Sequence, residues 1–226
     1  MNDLSDRYKK INDRILTACE IAQRDPKSVK LLAVSKTKPP EMVDEFASLG
    51  QKFFGENKIQ EAQGKIPLCI SGLQWHLIGH LQSNKAKIAA TLFDMVHSVD
   101  SLKIMNALDR NAETTLPILL QVNVAGDSAK FGFNPEEVEE IINLSCELNN
   151  CEVHGLMTIP PFSEDLDKTK EHFSHLRELR DTLEAKTGVP LPELSMGMSY
   201  DLEAAIEAGS TWIRVGSDLF GERKRR

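Results

Sequence analysis

The chain has 226 residues, of which 41% are hydrophobic and 27% charged, as is usual for a soluble globular protein. Its formal net charge of −7 argues against nucleic acid as the main partner, and the basic residues 223–226 are most simply interpreted as a solvated end. There is no membrane-spanning apolar stretch, signal-peptide pattern or metal-ligand cysteine spacing. The four cysteines are expected among apolar neighbours in helices or strands. We therefore expect a cytoplasmic protein with reduced thiols.

The first segment predicts an amphipathic helix whose apolar residues recur from Leu4 to Ala22, and Asp25-Pro26 ends it. Strands and helices then alternate. The predicted strands are 31–34, 52–55, 73–78, 95–98, 117–123, 152–157, 193–195 and 211–215. The helices between them are predicted at 42–49, 57–65, 83–91, 101–112, from the capping residue Asn134, at 165–186 and at 201–208.

Strict alternation of eight strands with helices favours parallel strands, and eight of them suggest a closed barrel. We expect an α/β fold, a single (β/α)8 TIM-type barrel over residues 1–226 with an additional N-terminal helix. Residues 216–226 are too few for a full eighth outer helix, and the N-terminal helix could cover that gap. A doubly wound open sheet remains the alternative, although it requires reversals of strand order that a sequence cannot show.

Lys36 ends the apolar run of the first strand, and Pro39 and Pro40 prevent the strand from continuing. In barrel and open-sheet α/β folds, the carboxyl end of a strand is where the chemistry lies. Considered alone, this stretch favours the simpler interpretation of Lys36 as a lysine that extends into solvent from a strand end. The remaining strand ends decide between these interpretations.

Two segments after the seventh and eighth strands carry small residues, hydroxyls and backbone N–H groups, at 195–199 and 215–218. Barrels commonly bind phosphate at this place. Arg214 lies inside the last apolar strand and needs a partner, because burying a lone charge is costly. That partner is either a carboxylate across the barrel or the ring nitrogen or phosphate of a ligand.

A lysine, a phosphate site and an arginine together suggest a phosphorylated aldehyde cofactor such as pyridoxal phosphate (PLP), held by Lys36 as a Schiff base. A Schiff-base aldolase acting on a sugar phosphate has the same parts and stays open. His76 and His80 lack a third metal ligand nearby, and no Ser-His-Asp order, Walker loop or GxGxxG motif is present. Metal catalysis is therefore not expected.

Several motifs in order along the chain resemble the pyridoxal phosphate homeostasis protein family. The residues that carry the resemblance are AVSKT at 33–37, FGEN at 54–57, WHLIGHLQSNK at 75–85, GLM at 155–157, SMGMS at 195–199 and GSTWIRVGS at 209–217. Leu77 stands where an aromatic residue is more usual, and Ser217 where threonine is also common.

The resemblance implies a barrel like the N-terminal domain of alanine racemase, and it implies roles for particular residues. Lys36 would carry PLP as a Schiff base, and Ser199 would hold the phosphate with the backbone of Gly216 and Ser217. Arg214 would face the pyridine nitrogen. Asn57 and Met157 would lie near the ring.

The resemblance also implies a carrier that keeps free PLP low and supplies it to PLP-dependent apoenzymes. Arg214 can only donate to the ring nitrogen, which leaves that nitrogen unprotonated and the ring a poor electron sink. Racemases of similar architecture add a second base from a further domain, whereas this chain ends at Arg226. We expect a non-catalytic monomer without nucleic-acid or membrane partners. The alternative is a low-activity PLP-dependent amino-acid racemase with Lys36 as its base.

Overall fold

Eight parallel strands form a closed barrel in chain order in the computed structural model, which describes residues 3–127 and 131–221. The strands are β1 (Lys30–Val34), β2 (Phe53–Glu56), β3 (Gln74–Leu77), β4 (Met95–Val99), β5 (Leu116–Gln121), β6 (Cys151–Met157), β7 (Glu193–Ser195) and β8 (Trp212–Val215). The barrel closes where β1 pairs with β8, with Lys30 opposite Trp212 and Ala33 opposite Val215. The predicted barrel is confirmed, and the open-sheet alternative is wrong.

Helices surround the barrel, and most of them connect consecutive strands. They are α1 (Asp3–Ile21), α2 (Pro40–Ser48), α3 (Ile59–Lys65), α4 (Ala86–Leu92), α5 (Leu102–Asp109), α6 (Val138–Ser145), α7 (Leu166–Thr187), α8 (Leu202–Glu207) and α9 (Ser217–Phe220). Short 3-10 turns lie at Pro26–Ser28, Ile66–Leu68, Ser83–Lys85 and Pro135–Glu137. In the part of the chain that the structure describes, no helix combines the length and apolar character needed to cross a membrane.

Helix α1 covers the part of the barrel that α9 is too short to cover. Its inward residues Ile11 and Ile15 are buried, and the helix packs against α8 and α9. Burial of this apolar stripe is the main stabilising contribution of such a helix. The expected role of the N-terminal helix is confirmed.

The strands alternate between the barrel interior and the layer of helices. On β8, Ile213 belongs to the large apolar core under the helices, whereas Trp212 packs inside the barrel with Leu32 and Val34. This period of two places Arg214 inside the barrel as well. Residues on alternate positions of each strand can therefore meet one another in the interior.

Two details differ from the sequence expectations. The helix expected to begin at Asn134 begins with a 3-10 turn, and α6 follows only at Val138; Asn134 and Glu137 form a capping box before it. Cys146 lies exposed just after α6 and not among apolar neighbours, while Cys19 and Cys151 are buried as expected. The basic residues 223–226 lie outside the described residues.

Candidate functional site

A cavity of about 290 Å³ opens at the carboxyl ends of the strands. This volume is near the lower end of the range of about 300–1,000 Å³ found for small-molecule sites. Its lining comes from the segments after β1, β2, β3, β6, β7 and β8. The lining residues are Val34, Lys36, Lys38, Asn57, Ile78, Ile159, Met198, Ser199, Tyr200, Arg214, Gly216, Ser217, Phe220 and Gly221.

The structure brings the predicted site residues together on this cavity with one exception. Met157 is fully buried inside the barrel beside Met95 and Leu119 and is not among the lining residues. Ile159, two residues further along the chain, lines the cavity instead. The other predicted residues that line it are Lys36, Asn57, Ser199, Arg214, Gly216 and Ser217.

Lys36 follows β1 by two residues, in a turn that leads directly into α2. Thr37 adopts a left-handed backbone with φ of 65°, and Pro39 and Pro40 then start the helix. A proline suits the first helical position, where no backbone N–H is needed. The sharp turn leaves the Lys36 side chain half-buried on the cavity wall.

Asn57 follows β2 and offers the cavity an unused polar atom. Its Oδ1 is buried and has no hydrogen-bond partner among the described residues. The neighbouring Gly79 lets the Asn57 backbone pass close by, because a Cβ there would lie 2.2 Å from the main-chain carbonyl oxygen of Asn57. A buried acceptor without a partner is costly in an empty protein, so this atom suits a donor on a ligand.

The two predicted phosphate segments lie side by side and both contribute to the cavity wall. Ser199 Oγ and Ser217 Oγ are 3.4 Å apart. Asp201 fixes the first segment, since its Oδ1 accepts the Met198 backbone N–H at 2.6 Å. Ser217 begins α9, and the first N–H groups of a helix have no carbonyl partner within it. Hydroxyl and amide donors gathered in this way can bind an anionic oxygen.

Arg14 on α1 joins the two phosphate segments from outside. Its Nη2 donates to the Ser199 carbonyl at 2.9 Å, and its Nη1 donates to Asp218 Oδ2 at 3.0 Å. A third contact, from Nε to Glu203 Oε1 at 2.7 Å, anchors the guanidinium to α8. Sequence reasoning missed this residue, because only the closed barrel brings α1 beside α9.

Arg214 is buried, with its guanidinium held by neutral oxygens. Nη1 donates to Ser195 Oγ at 2.7 Å and Nη2 to the Thr158 carbonyl at 2.9 Å. Neither contact is the cross-barrel carboxylate that the sequence left open. Burial lowers the pKa of Arg214 to about 10, so the group remains protonated at neutral pH.

Two histidines extend this arrangement through the barrel interior. Ser195 Oγ lies 2.8 Å from His97 Nδ1, and His97 Nε2 lies 2.9 Å from His76 Nδ1. Since Arg214 donates to Ser195, we assign the serine hydrogen to His97 Nδ1, and His97 then donates to His76. Burial lowers the pKa of His76 to about 3 and holds the pKa of His97 well below its usual range. Both rings are therefore neutral.

The sequence contained a partial signal for these histidines. His76 and His97 alternate with outward apolar residues on β3 and β4, which predicts inward side chains. Their contact with Ser195 on β7 depends on barrel closure, which no local pattern reveals. Within residues 3–127 and 131–221, no cluster of side chains has the composition of a metal site.

Known proteins share both the sequence and the fold. The model of the alanine racemase N-terminal domain family matches residues 9–224. The pyridoxal phosphate homeostasis protein of Aquifex aeolicus is 43% identical over 97% of this chain and 98% of its own. The protein of the same name from Escherichia coli K12 is 39% identical over 99% of this chain and 98% of its own.

Solved structures agree with these matches. PipY of Synechococcus elongatus, solved with PLP bound, has a TM-score of 0.84 and 37% identity, covering 93% of this chain and all of that one. Alanine racemase of Corynebacterium glutamicum, at 16% identity and a TM-score of 0.70, shares the fold over 94% of this chain and 61% of its own. The chain belongs to the pyridoxal phosphate homeostasis protein family, whose members carry the alanine racemase N-terminal domain.

Proposed function

We propose that this protein binds PLP covalently through Lys36 and acts in PLP homeostasis, supplying the cofactor to PLP-dependent apoenzymes. The observation that carries the proposal is one cavity in which Lys36, Arg214 and the paired hydroxyls of Ser199 and Ser217 meet. Each of these groups suits a different part of PLP: aldehyde, ring nitrogen and phosphate. Relatives named for PLP homeostasis, and a PLP-bound PipY structure, support the proposal.

When bound, PLP supplies an aldehyde carbon that a lysine amine attacks, forming a C=N bond as the carbonyl oxygen leaves as water. Lys36 provides that amine from the turn after β1. Ser199 and Ser217 offer hydroxyl donors to the phosphate, together with the backbone of Gly216 and Ser217. The unpartnered Oδ1 of Asn57 fits a donor near the ring.

Arg214 provides a fixed, protonated donor for the ring nitrogen. Because a guanidinium donates and does not accept, it gives the ring nitrogen a hydrogen bond without a removable proton. This environment limits the electron-withdrawing power of the ring and supports a carrier without robust catalysis. A cytoplasmic location and a monomeric state belong to the same proposal. A low-activity racemase with Lys36 as its base is the competing function.

Titration of the purified protein with PLP tests the proposal. We expect the wild-type protein to develop a visible absorption band that sodium borohydride removes while fixing the label. Lys36→Ala should bind PLP only weakly and without the band. Lys186→Met, which removes an exposed lysine paired with Glu139, is the matched control and should behave as wild type. A band of wild-type strength in Lys36→Ala would contradict the assignment.

A further inference from the structure

The residues on either side of Lys36 are both held by charged groups behind the cavity wall. Ser35 presents its carbonyl oxygen to Lys65 Nζ at 2.7 Å. Thr37 donates its backbone N–H to Glu61 Oε1. Lys65 Nζ also donates to Glu61 Oε1 at 3.0 Å, so both contacts belong to one network. The backbone around Lys36 is therefore fixed from both directions along the chain.

Glu56 completes this network at the end of β2. Its Oε1 accepts Lys65 Nζ at 2.7 Å and Ser35 Oγ at 2.7 Å. The Lys65 side chain is only 6% exposed and that of Glu56 is fully buried, so neither charge is solvated by bulk water. Lys65 uses three donors, the full capacity of an ammonium group. We call Lys65, Glu56 and Glu61 the Lys65 cluster.

The Lys65 cluster contacts Thr37, a residue with an energetically unfavourable backbone conformation. Thr37 has a φ of 65°, in the left-handed region that L-residues rarely adopt. A β-branched residue there is an outlier that persists only when its surroundings enforce it. The bond from Thr37 N to Glu61 supports this conformation, together with the turn hydrogen bond in which the Lys38 N–H donates to the Ser35 carbonyl at 3.0 Å.

None of the three cluster residues is among the described residues that line the cavity. They lie behind the cavity wall, against the backbone of Ser35 and Thr37. We propose that Lys65, Glu56 and Glu61 are positioning residues that hold Lys36 in the turn from which its amine reaches the cofactor aldehyde. This inference rests on the proposed function and adds to it the residues that set how fast Lys36 reacts.

Two ligands distinguish a variant in which Lys36 is mispositioned from one in which the whole pocket is damaged. PLP has an aldehyde and condenses with the Lys36 amine, losing water. Pyridoxine phosphate has an alcohol at the same carbon and cannot condense, although it offers the same phosphate and ring nitrogen. The measurements are the rate of borohydride-trapped attachment of PLP and the dissociation constant of pyridoxine phosphate.

Glu61→Ala is the main variant, because the Glu61 side chain is 26% exposed and tolerates removal better than a fully buried charge. We expect attachment of PLP to slow by about tenfold, the scale of effect that small misplacements of reacting groups produce. The dissociation constant of pyridoxine phosphate should change by less than about twofold. Glu61→Gln keeps an acceptor oxygen for the Thr37 N–H and should restore most of the rate.

Lys65→Met should slow attachment more strongly, because it breaks the contacts to Ser35 and Glu56 together. Lys65→Met also leaves the Glu56 carboxylate buried without its cation, so circular dichroism is used to check that this variant is folded. If Lys65→Met is unfolded, the test rests on Glu61→Ala. Lys186→Met is the control, since it breaks an exposed lysine–carboxylate pair away from the cavity.

The outcomes distinguish this inference from the proposed function. If wild-type protein attaches PLP and Glu61→Ala attaches it at the same rate, the positioning role is wrong and the proposed function stands. Equal weakening of PLP attachment and pyridoxine phosphate binding would also overturn the positioning role, since it indicates general damage. If the wild-type protein attaches no PLP, both proposals fail.

Discussion

Inside the barrel, the positive charge of Arg214 is held by neutral groups. Arg214 keeps its proton, whereas His97 and His76 are kept neutral by burial. The hydroxyl of Ser195 lies between the cation and the first imidazole. This order of groups fixes the direction of the guanidinium through neutral oxygens, and the nearby Asp201 carboxylate favours its protonated form without a direct hydrogen bond.

The buried histidines predict how stability depends on pH. Their pKa values in the folded protein lie below the unfolded value of about 6.5, so the unfolded state takes up protons first as the pH falls. Their stabilising contribution is present above pH 6.5 and is lost on acidification. From pH 7 to pH 5, we expect each histidine to reduce the free energy of unfolding by about 2 kcal/mol, measured by urea denaturation.

Replacement of one histidine isolates its contribution to this slope. His97→Gln should lower the free energy of unfolding at pH 7. Between pH 7 and pH 5 the free energy of unfolding should also fall less steeply, because one proton fewer is taken up on unfolding. His175→Gln, at an exposed position on α7, should leave the slope of the buried pair intact. An unchanged slope in His97→Gln would show that this ring titrates normally in the folded protein.

The position of Lys36 just beyond a strand end could be predicted from the sequence, because an apolar run that ends in a lysine before two prolines indicates a strand end. The apolar neighbours of Arg214 predicted that it lies in a strand, and the small and hydroxyl residues after the seventh and eighth strands pointed to Ser199 and Ser217. Asn57 was expected near the ring, but the burial of its Oδ1 without a hydrogen-bond partner among the described residues depends on three-dimensional packing. Met157 was also expected near the ring; it lies inside the barrel and outside the cavity lining, because the direction of its side chain depends on a strand register that the sequence does not show.

At the scale of elements, α1 does more than cover apolar surface. Through Arg14 it contacts the loop after β7, helix α8 and helix α9. These are the elements that carry Ser199 and Ser217. The N-terminal helix therefore connects the two predicted phosphate segments through Arg14, although none of its described residues lines the cavity.

Removal of the Arg14 guanidinium should loosen the phosphate segments. For Arg14→Met, we expect the free energy of unfolding to fall by about 1–2 kcal/mol, because charge-assisted hydrogen bonds are lost from a half-buried site. Pyridoxine phosphate should bind several-fold more weakly in isothermal titration calorimetry. Lys9→Met, on the same helix with an exposed partner in Asp13, is the control. Stability loss in Arg14→Met without weaker binding would limit Arg14 to a structural role.

Element positions were well predicted because hydrophobic periodicity is a local property, and all eight predicted strands are present. Contacts between elements were harder to predict. The Lys65 cluster joins β1, β2 and α3 through buried charges, and sequence patterns treat Lys65 as an ordinary helix-end lysine. Such partnerships are set by three-dimensional packing, which periodicity does not describe.

For the whole molecule, the central question is whether the barrel holds PLP or also catalyses a reaction with it. A carrier predicts no sustained exchange of the Cα hydrogen when the PLP-loaded protein is incubated with alanine or serine in deuterated water. Mass spectrometry of the amino acid measures the exchange, and Lys36→Ala is the blank. Steady incorporation of deuterium with turnover would favour the racemase alternative.

The position of the covalent label tests the account most directly. PLP-loaded protein is reduced with sodium borohydride and digested, and the peptides are sequenced by mass spectrometry. The account predicts that the reduced pyridoxyl group lies on Lys36, in the peptide after β1, and that Lys38 and Lys65 stay unlabelled. A label on another lysine, with Lys36 unmodified, would contradict the account.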